Sequence, residues 1–273
     1  PNNKVSTADY AIGLHASSFV TDGGTLQIGI GSLGDAIGQA LIVRDRHAAE
    51  YQRILESLCP DGLAGRELGR FEQGLYGCSE MFVNGFLKLI EAGIIRREVF
   101  NDTVLQQLLN KGAIADETVT PQTLRALLDA GRVRSPLAQE DLDFLQRFGV
   151  LRAEVTLDND KLILGDKRCS NNLLQDDAFD CVCKTMLGSR LLGGISMTGG
   201  FFLGPRDFYE RLRSMPAQEL AKIDMTRIDF INQLYGQEDL KRAQRTKARF
   251  MNTTMMVTAL GAAVSDALDT GEV

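Results

Sequence analysis

Apolar positions along the chain fall into runs of two periods. Ala8 to Val20 repeats at helical spacing through Ile12, Ala16 and Phe19, and Asp22-Gly23-Gly24 stops it. Thr25 to Ile30 reads as a short strand entering a glycine turn, Gly29-Ile30-Gly31-Ser32-Leu33-Gly34. Asp35 to about Leu58 returns to helical spacing, with a break in its charged middle, Arg44-Asp45-Arg46-His47, and an end at Cys59-Pro60. Asp61 to Gly74 carries four glycines and mixed charge, as a surface loop does. Ser79 is placed to cap a helix from Glu80 to Ala92, with Phe82, Phe86, Leu89 and Ile90 on one face and Gly93 at its stop.

The second half continues the alternation. Residues 101 to 148 read as mostly helical, with amphipathic runs at Val104–Leu109, Pro121–Ala130 and Leu137–Phe148. Val155 to Leu164 turns about Asp158-Asn159-Asp160 as a β-hairpin. Leu191 to Leu203 mixes apolar residues with glycine pairs, the pattern of buried strands near a close backbone approach. Asp207 to Arg213 starts another helix, and Arg227–Leu234 and Met255–Leu260 are strand candidates. Strands alternating with helices predict an α/β fold with a largely parallel sheet.

Composition narrows the classes. Of 273 residues 44% are hydrophobic, enough for one large domain or two modest ones. Thirty basic against thirty-six acidic residues leave a net charge of −6, which argues against a nucleic-acid partner. The longest apolar run, Met255 to Val264, falls short of the roughly 20 residues of a spanning helix, so no membrane partner is expected. The opening Pro-Asn-Asn-Lys and the closing Gly-Glu-Val read as cuts in a longer polypeptide. Five scattered cysteines, an odd number, disfavour a disulfide framework and favour a reducing cytoplasm. Cys181 and Cys183 are too close for the usual zinc spacing, with only His15 and His47 to complete a set, so no metal is expected. His47, in its charged run, reads as solvated.

The glycine turn has the G-x-G-x-x-G spacing of a dinucleotide site. That reading needs a second strand ending in an acidic residue roughly 20 positions on. Glu50 has the spacing, but Arg44 to Leu58 has helical periodicity, which carries the carboxylate away from any ribose. A nicotinamide cofactor is therefore not expected; a turn that serves packing alone stays open. Beside it, Glu80 is either an exposed first-turn carboxylate favoured by a helix dipole or a chemical group.

Together, Leu26-Gln27-Ile28-Gly29-Ile30-Gly31 with Ala36, then Cys78-Ser79-Glu80-Met81-Phe82-Val83-Asn84-Gly85, resemble the acetyl-CoA hydrolase/transferase family within the class I CoA-transferases. Its corresponding patterns are "LQxGIGxxxxA" and "xHTEMFxDG". Residues 85 to 93 look like its "GlxdLIEAG", and Arg249-Phe250-Met251-Asn252-Thr253 resembles a strand whose Asn lines the site. Cys78 stands where the family has His, and Asn84 where it has Asp. The resemblance implies an open, mostly parallel α/β sheet flanked by helices, the CoA-transferase (NagB/RpiA-like) fold. It casts the chain as the family's C-terminal, catalytic-glutamate half, with a largely helical insertion at about 100–185. A related N-terminal half and a later glycine-rich turn, "SGxGGxxxF", would lie outside this sequence.

The resemblance further implies that Glu80 is the nucleophile, attacking an acyl-CoA thioester to form a glutamyl anhydride and then a glutamyl-CoA thioester. Coenzyme A is then substrate, and no resident cofactor is expected. Its partners would be acyl-CoA, a small carboxylate and the N-terminal half, with self-association open. Gly29, Ile30 and Gly31 would present backbone donors to the oxyanion, Gly29 and Gly31 would contact CoA, and Asn252 would line the site. Two alternatives stay open: Asn252 as a buried strand residue bonded to backbone, and Cys78 as nucleophile, although no partner base is evident for it.

Overall fold

The computed structural model describes residues 4–264. It opens with α1 (Thr7–Ser17), β1 (Thr25–Ile28), α2 (Ser32–Arg46), α3 (Ala48–Leu58), β2 (Tyr76–Val83) and α4 (Asn84–Glu91). There follow α5 (Thr103–Asn110), α6 (Pro121–Asp129), α7 (Gln139–Arg147), β3 (Thr156–Asp158), β4 (Lys161–Leu164), β5 (Lys167–Ser170) and α8 (Asp176–Thr185). The remainder is β6 (Met197–Leu203), α9 (Arg206–Ser214), α10 (Ala217–Leu220), β7 (Ile223–Met225), α11 (Ile228–Asn232), α12 (Glu238–Gln244), β8 (Arg249–Met251), β9 (Met256–Val257) and β10 (Ala263–Val264). No helix among the described residues is long and apolar enough to cross a membrane.

Two compact units emerge. The first takes the described residues up to Arg97, Ser196–Gly236, and those from Arg245 on; the second takes Glu98–Ile195 and Gln237–Gln244.

The first unit is α/β. Its five strands run parallel in the order β7-β6-β2-β1-β8. The chain steps from β1 to β2, β6 and β7 in one direction, then returns across the sheet to β8 on the far side of β1. The order therefore reverses between β1 and β8, and in open parallel sheets such a reversal opens a crevice at the carboxyl ends of the strands. The core joins Leu26 and Ile28 of β1 to Ile37 and Leu41 of α2 and to Phe82, Phe86, Leu87 and Phe208, all nearly or fully buried. Phe82 meets Phe208 edge-on at 5.8 Å and Phe202 at 5.4 Å between ring centres. Gly13 lets α1 close on α2, since a Cβ there would lie 2.7 Å from the Ala36 backbone.

The second unit has its own core, in which α5, α6 and α7 contribute Leu105, Leu124, Leu127, Leu142 and Leu145. An antiparallel sheet, β3-β4-β5, packs its Leu162 and Cys169 into that core. Within the unit α12 closes on α5, where Asn110 Nδ2 donates to the Ala243 carbonyl at 2.8 Å.

Several expectations are corrected. Glu80 does not begin a helix: β2 runs through it to Val83, and α4 starts at Asn84. Parallel pairing on both flanks, with β1 and β6, holds Tyr76–Val83 extended against a local pattern that would also suit a helix. Arg227–Leu234 is not a strand; it holds the short helix α11, with Ile231 buried and Leu234 exposed. Of Leu191–Leu203 only Met197 onward is strand, and of Met255–Leu260 only β9. Cysteine use is corrected too. A disulfide joins Cys169 of β5 to Cys181 of α8, because strand and helix bring together residues 12 apart in sequence. That bond engages Cys181, so the Cys181–Cys183 pair does not offer two thiols.

Candidate functional site

The register of the sheet aligns the residues singled out above. Leu26 pairs with Gly77, so three residues further along both strands Gly29 lies level with Glu80. Ser79 Oγ reaching the Ile28 carbonyl at 3.5 Å agrees with this register. On the other flank Ile28 pairs with Met251, so Gly29 is also level with Asn252, and its N–H donates to the Met251 carbonyl at 3.0 Å. Ser79–Gly199 and Met81–Phe201 bracket Glu80 opposite Gly200. Glu80, Gly29 and Asn252 thus form a row across three adjacent strands, the outer two about 10 Å apart at strand spacing.

They also share a face. The Ile28 side chain turns toward α4, meeting the position a Cβ on Gly85 would take at 3.2 Å. Strand alternation then sends Gln27 and the bare side of Gly29 the other way. Gln27 Nε2 donates to Asn252 Oδ1 at 3.3 Å, and a Cβ on Gly29 would lie 3.7 Å from the same oxygen. Glu80 is half-buried, and its Oε2 accepts a 2.7 Å bond from Asn232 Nδ2 at the end of α11. Consecutive glycines of β6 mark the two sides of the sheet. A Cβ on Gly199 would meet Phe82 at 3.3 Å, while one on Gly200 would meet Ile228 of α11 at 2.9 Å. Glu80, Gln27 and Asn252 therefore face the α11 side, and Gly29, level with both Glu80 and Asn252, has no side chain to stand between them.

A cleft opens on the other side, at the carboxyl ends of the strands. About 810 Å³ is lined by Gly29, Ile30 and Gly31, by Asp35 of α2, by Asn84 and Lys88 of α4, and by 203–205 with Asp207 of α9. Neither Glu80 nor Asn252 lines it. Gly31 caps α2 with φ 94° and ψ −176°, and no side chain caps the helix, so its first-turn amides face the turn. The amide of Gly29 is committed to β8, which leaves those of Ile30 and Gly31 as donors from the turn.

Other candidates separate from the row. Asn252 is exposed and bonded to a side chain, not a buried strand residue tied to backbone. Cys78 is fully buried, out of reach of a substrate. Below Glu80 on the same strand, burial pushes the Tyr76 phenol well above its ordinary range, and its hydroxyl donates to Thr198 Oγ1 at 2.7 Å. Arg97 lies over the Tyr76 ring, and burial pulls its guanidinium down to about 10. Glu50 and His47 are exposed on the α2–α3 helical run, and His15 Nδ1 lies 3.3 Å from Arg66. Nothing in the sequence marks Asn232, which lies in a segment whose local pattern suits a strand, or Gln27, whose motif carries its signal in the glycines.

No protein-family model matches the chain, and no curated protein matches it. Among solved structures, one of a RipA mutant is similar over 98% of this chain and 32% of its own, at 14% identity and a TM-score of 0.42. The chain thus spans about a third of that structure's length. At that score the likeness assigns neither a fold family nor an activity.

Proposed function

We propose that this chain carries the catalytic glutamate of an acyl-CoA:carboxylate CoA-transferase or acetyl-CoA hydrolase of the class I type. The observation that supports the reading is the row Glu80–Gly29–Asn252: a carboxylate and an amide on the two strands that flank β1 in a parallel sheet, separated by a residue with no side chain. A thioester carbonyl placed over Gly29 would meet the carboxylate from one flank and the amide from the other. Attack by the Glu80 carboxylate expels CoA thiolate and leaves a mixed acyl–glutamyl anhydride. The thiolate then attacks the glutamyl carbonyl, releasing the acyl group as a carboxylate and forming the glutamyl-CoA thioester. A second carboxylate reverses the sequence, or water ends it. Asn252 donates to the oxyanion, with Gln27 fixing its orientation.

The test is peptide mass spectrometry after brief exposure to acetyl-CoA, with borohydride trapping. The expected result is a CoA adduct, or its reduced form, on the peptide holding Glu80. Glu80→Ala should abolish turnover, and Glu80→Asp should lower it at least 100-fold by retracting the carboxylate. Acyl-CoA consumption without an adduct would remove Glu80 as nucleophile.

A second reading is favoured by one observation: the 810 Å³ cleft includes the glycine turn but not Glu80. On this reading the domain binds an anionic ligand at the open start of α2 and performs no chemistry. Saturable CoA binding, with neither adduct nor turnover, would select it.

A further inference from the structure

The glycine pair in Met197-Thr198-Gly199-Gly200 and the short helix α11 have no part in the mechanism above, yet both converge on Glu80. From that convergence we infer that Asn232 is a positioning residue, which holds one oxygen of the Glu80 carboxylate and leaves the other free to attack. The inference rests on the proposed role of Glu80 as nucleophile.

Three features set Asn232 in place. Gly200 is level with Glu80 on the neighbouring strand, and a Cβ there would lie 2.9 Å from both the Glu80 carbonyl oxygen and Ile228 Cγ1. The bare backbone therefore lets α11 settle onto the sheet beside the carboxylate. Ile231, one residue before Asn232, is 1% exposed and anchors the helix. Arg245 then clamps the end of α11: its Nη1 donates to the Ile231 carbonyl at 3.0 Å, its Nη2 to the Phe230 carbonyl, and its guanidinium stands over the Phe230 ring. These are carbonyls left open at a helix C-terminus, where a cation is favoured. With α11 held at both backbone and core, the Asn232 amide delivers its N–H to Glu80 Oε2 at 2.7 Å.

The choice of a neutral donor suits a nucleophile. An arginine at this position would pair with both carboxylate oxygens in a fork and occupy the attacking one. A single amide N–H engages one oxygen and fixes the carboxylate plane, so that attack begins from an aligned geometry. Asn232 touches neither thioester nor CoA in this arrangement; it acts through Glu80.

The experiment compares wild type with Asn232→Ala, Asn232→Asp and Gly200→Ala in acyl-CoA turnover. The expected outcome for Asn232→Ala is a 10- to 100-fold fall in kcat with little change in KM. Asn232→Asp keeps the shape but removes the donor, and should fall at least as far; a merely structural asparagine would tolerate it. Gly200→Ala, which lifts α11, should show the same kcat-against-KM split. Wild-type kcat in both Asn232 variants overturns the inference, whereas wild-type turnover in Glu80→Gln overturns the role of Glu80 instead. A measurement independent of turnover accompanies these: the side-chain amide resonances of Asn232, followed by NMR, should shift on Glu80→Gln. Unmoved resonances overturn the inference even where no turnover is seen.

Discussion

At the scale of single residues, the three glycines of Gly29-x-Gly31-x-x-Gly34 have three different physical reasons to be glycine. Gly31 adopts φ 94° with extended ψ, a region closed in practice to residues with a Cβ. Gly34 faces β1 so closely that a Cβ would run into the Gly29 carbonyl oxygen. Gly29 is under neither constraint: a Cβ there would make an ordinary 3.7 Å contact with Asn252 Oδ1. Its bareness matters only for what lies over it. Gly31→Ala and Gly34→Ala should therefore each destabilise the fold by about 1–3 kcal/mol, read as a lowered urea midpoint at constant slope. Gly29→Ala should leave the midpoint near wild type and cut turnover at least tenfold. A midpoint that falls as far as in Gly34→Ala would make Gly29 a packing residue.

At the scale of elements, the charged run Arg44-Asp45-Arg46-His47 shows how four similar letters part company. The break between α2 and α3 falls at His47, inside the charged middle of the helical run, and Arg46 and His47 face solvent. Arg44 is 1% exposed and ties together the end of α1 and the glycine-rich loop. It donates to the carbonyls of Gly69 at 2.7 Å and Ser17 at 3.1 Å and to that of Val20, approaches Glu67 at 3.5 Å, and stacks on Phe71. Asp45 accepts from the Phe71 amide at 3.1 Å. Nothing local distinguishes Arg44 from Arg46; only the loop folding back over α2 does. Arg44→Ala strands buried carbonyls and should cost about 3 kcal/mol in urea unfolding, whereas Arg46→Ala should cost less than about 0.5. Equal costs would mean that the buried hydrogen bonds add nothing to stability.

At the scale of the whole molecule, two units with separate cores predict that stability is not a single number. The Cys169–Cys181 bond lies wholly within the second unit and closes a loop of about 12 residues. Loop-closure entropy for that length is about 3 kcal/mol. Cys169→Ser should therefore lower amide-exchange protection in β3–β5 and α8 by up to that amount, while leaving β1, β2 and β6 unchanged. Loss of protection across both units together would show that they unfold as one.

What depends on neighbours along the chain is legible in the sequence. Amphipathic runs located α5, α6 and α7, the alternation about Asp158-Asn159-Asp160 located the β3–β4 hairpin, and the strand–glycine–helix order located β1 and α2 within a few residues. These follow from local periodicity and turn chemistry, which need no partner to be read. Tertiary structure alone decided that Glu80 stands on a strand, that Cys169 meets Cys181, and that Asn232 reaches a carboxylate 152 positions away. Each depends on how separate elements register or cross, which no local pattern specifies. The β2 segment is extended because β1 and β6 bond to it on both flanks, and α11 reaches Glu80 because Gly200 leaves room for it.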